Sequence, residues 1–347
     1  MKMASETHNL AAIDAGTNSF HLIVVNIRED GNFEIIDREK EVIRLGEGSS
    51  SSIKYIKPEA MDRAVVTLKR FRQIAVSHDA TIRVVATSAV REAYNKNDFL
   101  HKVLHETAIE IEVISGFEEA RLIYLGALRA VPVFNKKALI VDIGGGSTEL
   151  IVGTRGNTNF SASLALGAVS LTERFFPDFE ISDSRLKECK RWVEGEISRT
   201  VNAIHKTGFS ICVGTSGTIM SAGLVAQALR KGNIAPNAIL NNYELRVKDF
   251  EQAKNEILSR RSFERRKKIP GLDENRADII PAGIIILAAL FEMLDLQSIT
   301  ISGYSLREGI VIDSIRKLYP DLPRFSDGRG PNLSDIGDES IKQISKN

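Results

Sequence analysis

The sequence predicts an α/β protein in which two similar domains face each other across a cleft. The chain has 347 residues, whereas single hydrophobic cores stop growing at roughly 250–300 residues. Residues 14–20 and 142–149 carry related motifs, each an aspartate after an apolar run followed by glycine and then by serine or threonine. The order of predicted strands and helices around the first motif also restarts around the second. Together these observations indicate a duplicated domain.

The repeated motif itself predicts phosphate binding. Glycines after a strand let the backbone turn sharply, so that several N–H groups can surround an anion. An aspartate at the strand end is a hard oxygen ligand suited to a divalent cation, which offsets charge during phosphate chemistry. We therefore expect Asp14 and Asp142 to occupy equivalent places, with the metal role more strongly indicated for Asp142.

The first half of the chain predicts a β-meander followed by alternating helices and strands. Apolar residues recur at helical spacing through residues 58–77, and a proline stands early in that segment. The predicted strands are 10–15, 20–27, 33–45, 81–86 and 109–114, and the predicted helices are 58–77, 98–105 and 117–130.

The second half repeats this order and then departs from it. Its predicted strands are 138–142, 148–152, 159–166, 210–214 and 298–302, and its predicted helical segments are 183–207, 247–268, 281–294 and 304–318. We expect a first domain over residues 1–130 and a second over 131–303, with helix 304–318 packing back on the first. Residues 320–347 are rich in polar residues, proline and glycine and predict a flexible tail.

Composition excludes several classes of protein. A net charge of +1 gives no overall attraction to nucleic acid or to an anionic membrane. No apolar run approaches the ~20 residues of a membrane span, and the polar N-terminus does not resemble a signal peptide. The two cysteines, Cys189 and Cys212, have no metal-ligand spacing. We expect a cytoplasmic protein that does not recognise nucleic acid.

Five motifs in a fixed order make the sequence resemble the exopolyphosphatase and guanosine pentaphosphate phosphohydrolase family. They lie at residues 14–21, 86–91, 114–124, 142–149 and 214–218. The family belongs to the superfamily of actin, Hsp70 and the sugar kinases. The resemblance therefore implies two ribonuclease-H-like domains with an interdomain cleft.

The same resemblance implies an activity. It indicates hydrolysis of a terminal phosphoanhydride, with release of phosphate from inorganic polyphosphate, from guanosine pentaphosphate or from both, and with Mg²⁺ as the metal. Both substrates present the same terminal group, so the sequence does not rank them. A homodimer is the family default. Two alternatives stay open: a kinase of the same superfamily, and a non-catalytic sensor that binds guanosine tetraphosphate or another nucleotide.

The resemblance also assigns roles to individual residues. Glu119 corresponds to the general base, although a helix N-terminal acid placed for the helix dipole would look the same. The resemblance gives Glu149 both a catalytic and a metal-binding role. It makes Asp142 and Glu119 the other two predicted metal ligands. Glu118 is the weaker candidate for the base. The predicted phosphate-binding residues are Thr17, Asn18, Ser19, Arg91, Gly144, Gly145, Gly146, Ser147, Gly214, Thr215 and Ser216.

Some of these residues could instead have a purely structural role. Thr215 or Ser216 could simply cap a helix, which uses the same N–H groups that an anion would bind. The basic run at 260–268 is either an electrostatic track for polyphosphate or a solvated helix face. Arg276 and Asp278 resemble a family segment near the cleft, with a binding or a structural role. His21 is expected to pack or to form a hydrogen bond.

Overall fold

The structure, a computed structural model, describes residues 8–47, 54–232, 234–235 and 238–322. It contains two mixed β-sheets, each flanked by helices. Most of the predicted tail at 320–347 lies outside the described residues. None of the helices in the described ranges is long and apolar enough to cross a membrane.

The first sheet is formed by the first third of the chain. Its strands lie in the order β3-β2-β1-β4-β5. Strands β1 to β3 form an antiparallel meander, and β4 pairs parallel with both β1 and β5. The strands are β1 (His8–Ala15), β2 (Ser19–Ile27), β3 (Phe33–Val42), β4 (Ala80–Ala86) and β5 (Ile111–Val113); the helices are α1 (Pro58–Ser77), α2 (Ser88–Arg91), α3 (Lys96–Thr107) and α4 (Gly116–Ala130).

The second sheet has six strands in the order β10-β11-β9-β6-β7-β8. Its strands are β6 (Ala138–Ile143), β7 (Thr148–Thr154), β8 (Asn157–Leu164), β9 (Ile211–Thr215), β10 (Tyr243–Arg246) and β11 (Ser298–Ile301). The helices of this half are α5 (Ala168–Phe175), α6 (Asp183–Thr207), α7 (Ser216–Lys231), α8 (Val247–Ser259), α9 (Phe263–Arg266), α10 (Ile280–Met293) and α11 (Leu306–Leu318).

The two sheets share one topology. The order β3-β2-β1-β4 in the first corresponds to β8-β7-β6-β9 in the second, with three antiparallel strands followed by a parallel one. Asp14 pairs with His21 at the end of β1, and Asp142 pairs with Glu149 at the equivalent place in β6. The duplication predicted from the two motifs is therefore confirmed, and the fold is the two-domain actin-like fold.

Several elements differ from their predicted bounds. Strand β3 ends at Val42 rather than at residue 45, and α11 begins at Leu306 rather than at 304. The charged segment 247–268 contains two helices, α8 and α9, and not one. Helix α5 and strand β10 were not predicted, since both are short and only Leu245 of β10 is buried. A single buried position gives no period to read from a sequence.

Helix α11 packs against α4 with almost no space between the two backbones. An added Cβ on Gly309 would lie 1.9 Å from the Leu122 carbonyl oxygen, and one on Gly126 would lie 2.0 Å from the Ser305 carbonyl oxygen. Arg121 of α4 also donates to the Asp313 carboxylate of α11 at 2.6 Å. These contacts fix the two helices to each other as one unit.

This close approach predicts that Gly309→Ala destabilises the protein. Added atoms in a packed core typically cost about 1–3 kcal/mol, and we expect the upper end because the obstacle is backbone rather than a movable side chain. Gly195→Ala is the matched control: it lies within α6, nothing is within 4 Å of its added Cβ, and alanine there should stabilise by roughly 0.5–1 kcal/mol. Denaturant unfolding of both variants measures the difference, and equal stabilities would contradict the packing argument.

Candidate active site

Two equivalent turns lie face to face where the domains meet. In the β1–β2 turn, Gly16 N–H donates to the Ser19 carbonyl at 3.2 Å; in the β6–β7 turn, Gly144 N–H donates to the Ser147 carbonyl at 2.9 Å. An added Cβ on Gly146 would lie 2.7 Å from Thr17 Oγ1 of the opposite turn. The structure therefore brings the two predicted phosphate turns into contact, with Asn18 and Gly145 also adjoining.

Four acidic side chains converge behind these turns. Asp142 lies near the end of β6 and Glu149 near the start of β7, the two strands that flank the second turn. Both side chains are buried. Glu119 comes from the first turn of α4 and is buried as well. Asp14 ends β1, and its Oδ1 is buried without a hydrogen-bond partner among the described residues. Each domain therefore contributes acids to one site.

Three of the four acids have a dedicated hydrogen-bond donor. Arg91 donates to Glu119 at 2.8 Å, and its guanidinium also donates to the Ile114 carbonyl. The Ser163 hydroxyl donates to Glu149 at 2.7 Å. The Ser305 hydroxyl donates to Asp142 Oδ2 at 2.7 Å. Arg91, which is predicted to bind phosphate, therefore already uses part of its guanidinium to bind Glu119.

Burial and mutual repulsion make these acids hold their protons tightly. Burial raises the pKa of Glu119 to about 7, although Arg91 acts against it, and raises the pKa of Asp14 to about 7. Burial also raises the pKa of Asp142 to about 6. Glu149 has its pKa raised well above its usual value by burial and by the nearby Glu119 and Asp142. Such shifts mark functional sites that combine desolvation with like charge.

The donor set is compatible with a hard cation. Across the described ranges, no three histidine, cysteine or acidic side chains enclose a metal by themselves. Mg²⁺, however, is commonly held by one or two carboxylates, with water and substrate phosphates completing its sphere. Asp14 has a buried oxygen that has no hydrogen-bond partner among the described residues, and the Asp142 carboxyl is close enough to raise its pKa. The Asp142 carboxyl in turn raises the pKa of Glu149, so these acids share one site. These residues fit Mg²⁺, whereas Glu119 is already paired with Arg91.

The predicted anion turn at 214–216 begins helix α7. Neither Thr215 nor Ser216 caps this helix with its side chain: the Thr215 hydroxyl donates to the Tyr304 carbonyl at 3.0 Å and the Ser216 hydroxyl to the Ile143 carbonyl at 2.9 Å. The first N–H groups of α7 are therefore left for an anion. Ser216 has φ of 76°, a left-handed conformation that costs energy in a residue other than glycine.

Arg276 lies against the start of this helix, and a second cation, Arg307, lies near Asp14. The guanidinium of Arg276 lies over Gly217, 2.2 Å from the position of an added Cβ, and its buried Nε has no hydrogen-bond partner in the described part of the chain. Arg307 lies 3.4 Å from His21 Nδ1. Burial, Arg307, Lys40 and Arg276 lower the pKa of His21 well below its usual value. His21 is therefore neutral, in agreement with a hydrogen-bonding role.

The basic run 260–268 does not present all its charges to solvent. Arg266 is fully buried and donates to the backbone carbonyls of Ala277, Arg260, Arg261 and Phe179. Arg260, Arg261 and Lys267 pair with nearby acids. Arg266 therefore fits neither the electrostatic track nor the solvated helix face, because its guanidinium joins backbone segments in the interior.

Comparison with known proteins agrees with this geometry. The model of the Ppx/GppA phosphatase family matches residues 23–318. The chain belongs to this family. It is similar to the crystal structure of an exopolyphosphatase from Cytophaga hutchinsonii, with 30% identity over 89% of this chain and 98% of that one, at a TM-score of 0.82. It is also similar to the Aquifex aeolicus member of the Ppx/GppA family, with 26% identity over 90% and 99% of the chains, at a TM-score of 0.73.

Sequence reasoning missed three residues of this Ppx/GppA site: Ser163, Ser305 and Arg307. Ser163 lies on β8 among exposed positions, and no pattern there indicates a buried contact. Ser305 does stand three residues before Glu308, the spacing of a helix capping box, which predicts where α11 starts but not its bond to Asp142. Arg307 follows in the same turn of α11. These residues act through contacts between segments that are far apart in the chain, and such contacts leave no pattern in the local sequence.

The raised pKa of Asp14 predicts a pH-dependent stability in this Ppx/GppA chain. A carboxyl that holds its proton more tightly when folded contributes stability at low pH, and this contribution is lost as pH rises through about 7. In metal-free buffer, Asp14→Asn should therefore gain in melting temperature relative to the unmodified chain as pH goes from 5 to 8. Thermal unfolding in chelator at both values measures this gain.

Asp313→Asn is the control for that experiment. Asp313 is also buried, but hydrogen bonds from Lys317, Arg121 and Arg83 outweigh burial and lower its pKa to about 2. Its stabilising contribution is complete above the pKa of the unfolded chain, so the variant should be less stable by a similar amount at pH 5 and pH 8. A difference between Asp14→Asn and the unmodified chain that stays constant over this range would contradict the assignment.

Proposed function

We propose that this chain is a Mg²⁺-dependent phosphoanhydride hydrolase that releases the terminal phosphate of inorganic polyphosphate, of guanosine pentaphosphate or of both. The observation that supports this most directly is Glu119, a buried carboxyl that accepts a hydrogen bond from Arg91 and has its pKa raised to about 7, in the same site as the two turns predicted to bind phosphate. A base with a pKa near the working pH is effective in proton transfer. Membership of a phosphatase family supports the same reaction.

The terminal phosphoryl group would lie between the two turns. Backbone N–H groups of Gly145 and Gly146 would donate to its oxygens from one domain, and Thr17 and Asn18 would face it from the other. The predicted donor Gly144 is not available for this, because its N–H donates to the Ser147 carbonyl within the turn. Preorganised donors of this kind stabilise the charge that develops during phosphoryl transfer. Mg²⁺, held by Asp142 and Glu149 with Asp14 beside them, would neutralise part of the negative charge on the transferred group.

Glu119 would then activate the attacking water. The water oxygen forms a bond to the terminal phosphorus while the bond to the bridging oxygen breaks, so that the shortened chain leaves as an anion. The water proton passes to Glu119. Arg91 holds the Glu119 carboxylate in place through its 2.8 Å contact, and Ser163 does the same for Glu149. No covalent enzyme intermediate is needed.

Two ion pairs across the domains support closure around the substrate. Lys40 lies 3.2 Å from Asp273, and Arg44 lies 2.8 Å from Asp278. We propose that the domains run over residues 1–130 and 131–303, with α11 counted with the first because it packs on α4. Relative movement of these units would admit the polyanion and then exclude water.

The decisive prediction concerns Glu119 and its neighbour. Glu119→Gln should lower kcat for phosphate release by about 10²–10⁴-fold, the usual range for a general base. Glu118→Gln is the matched control, since Glu118 lies one residue away and accepts two hydrogen bonds from Arg121 at 2.7 Å. That variant should keep most of the activity. Phosphate release is measured with Mg²⁺ on long polyphosphate, short polyphosphate and guanosine pentaphosphate in parallel.

The same assay ranks the substrates and tests the alternatives. Absence of phosphate release from all three, with binding retained, would favour a non-catalytic sensor. Transfer of phosphate from ATP to an acceptor, without hydrolysis of the three substrates, would favour a kinase. Equal losses in the two glutamine variants would remove Glu119 as the base.

A further inference from the structure

Ser305 makes a contact that links the two domains at the site. Its hydroxyl donates to Asp142 Oδ2 at 2.7 Å. Ser305 directly precedes α11, whereas Asp142 lies in β6, 163 positions earlier in the chain. Asp142 is almost fully buried. A neutral donor that hydrogen-bonds to one oxygen of a buried carboxylate occupies a lone pair of that oxygen. It also fixes the direction in which the other oxygen points.

The position of Ser305 is fixed from the side of the first domain. The added Cβ of Gly126 would lie 2.0 Å from the Ser305 carbonyl oxygen, so α4 and the start of α11 are in backbone contact. Glu119 lies on the same helix, α4. Ser305 and Glu119 therefore move together as parts of one rigid unit.

The segment before Ser305 is fixed from the other side as well. Ser302 N–H donates to the Gly214 carbonyl at 2.8 Å, and the Thr215 hydroxyl donates to the Tyr304 carbonyl at 3.0 Å. Gly214 and Thr215 are the last residues of β9, directly before α7. Ser305 thus contacts the proposed metal carboxylate directly, and the backbone around it contacts both the helix that carries the proposed base and the end of β9.

We propose that Ser305 is a positioning residue, which orients the Asp142 carboxylate for the metal and holds it at a fixed distance from Glu119. This inference rests on the proposed function. Residues that hydrogen-bond to a metal ligand orient it, and their loss typically weakens metal binding or activity by about 10–100-fold. The expected phenotype of losing the hydroxyl is therefore a weaker affinity for Mg²⁺.

A purely structural role would have a different result. Ser305 N–H donates to Glu308 Oε2 at 2.8 Å, as in a helix N-cap, so any change at this residue could loosen the start of α11. Loss of a cap alone lowers stability but does not change metal affinity. Ser182→Ala provides the matched control, because the Ser182 hydroxyl accepts from Arg185 N–H at the start of α6 and makes no contact with the acidic cluster.

The test measures metal binding apart from activity. Mn²⁺ affinity by electron paramagnetic resonance, and the rise in melting temperature caused by Mg²⁺, are compared for the unmodified chain and for Ser305→Ala, Ser305→Gly, Ser305→Thr and Ser182→Ala. We expect the Ala and Gly variants to bind Mn²⁺ about 10-fold more weakly, and the Thr variant, which keeps a hydroxyl, to bind as the unmodified chain does. Glycine is well accepted at N-caps, so it gives the answer if the Ala variant does not fold.

Each outcome of these measurements either supports or overturns the proposed role of Ser305. Unchanged Mn²⁺ affinity in the Gly or Ala variant overturns the inference, and so does equal weakening in Ser182→Ala. Weak binding in the Thr variant as well shows that the shape of the residue matters and not its hydroxyl, which also overturns it. If the unmodified chain releases phosphate but binds neither Mn²⁺ nor Mg²⁺, the inference fails while the hydrolase stands. If it binds metal through Ser305 but releases no phosphate, the proposed function fails instead.

Discussion

The site depends on the cost of burying four carboxyl groups close together. Asp14, Glu119, Asp142 and Glu149 each have a pKa raised by burial, and each is within the field of at least one other or of an opposing arginine. A protein without a use for this cluster would be more stable with apolar residues there. Arg91, Ser163 and Ser305 each donate to one acid, and one Asp14 oxygen has no hydrogen-bond partner in the described part of the chain. Acids that repel one another in this way would lose their protons more readily beside a bound cation, which is why we expect one here.

The duplicated fold explains how such a cluster can be assembled without distorting the backbone. Each domain ends its first strand with an aspartate and closes the next turn with the same glycine-to-serine hydrogen bond. The two turns are in contact where the domains face each other. Beside them, Ser216 has a φ of 76°, and its hydroxyl donates to the Ile143 carbonyl. We therefore expect the donors to phosphate to be backbone groups, because the hydroxyls of Thr215 and Ser216 are engaged within the protein.

Local patterns in the sequence predicted the elements that local physics determines. Helix α6 has its predicted bounds, because Ser182 caps its start and Gly208 follows its end. The motif aspartates lie at strand ends, as predicted. Strand β10, with a single buried residue, had no period to detect. The bonds of Ser163 to Glu149 and of Ser305 to Asp142 join segments that only the tertiary fold brings together, so no spacing in the sequence could have indicated them.

The contacts between the domains are unequal in strength. This inequality indicates which contacts would break first if the domains moved apart. Both side chains of Lys40–Asp273 are partly exposed, and ion pairs of this kind contribute only ~0–1 kcal/mol. In Arg44–Asp278 the arginine is partly exposed but the aspartate is buried. The bond from Ser305 reaches the buried Asp142 carboxylate, and the α4–α11 contact that supports it is between backbones. We therefore expect any separation of the domains to begin at Lys40–Asp273, the more exposed of these contacts, before the Ser305–Asp142 bond opens. Under the proposed function, a polyanion would enter from that side before the carboxylates proposed to hold the metal move apart.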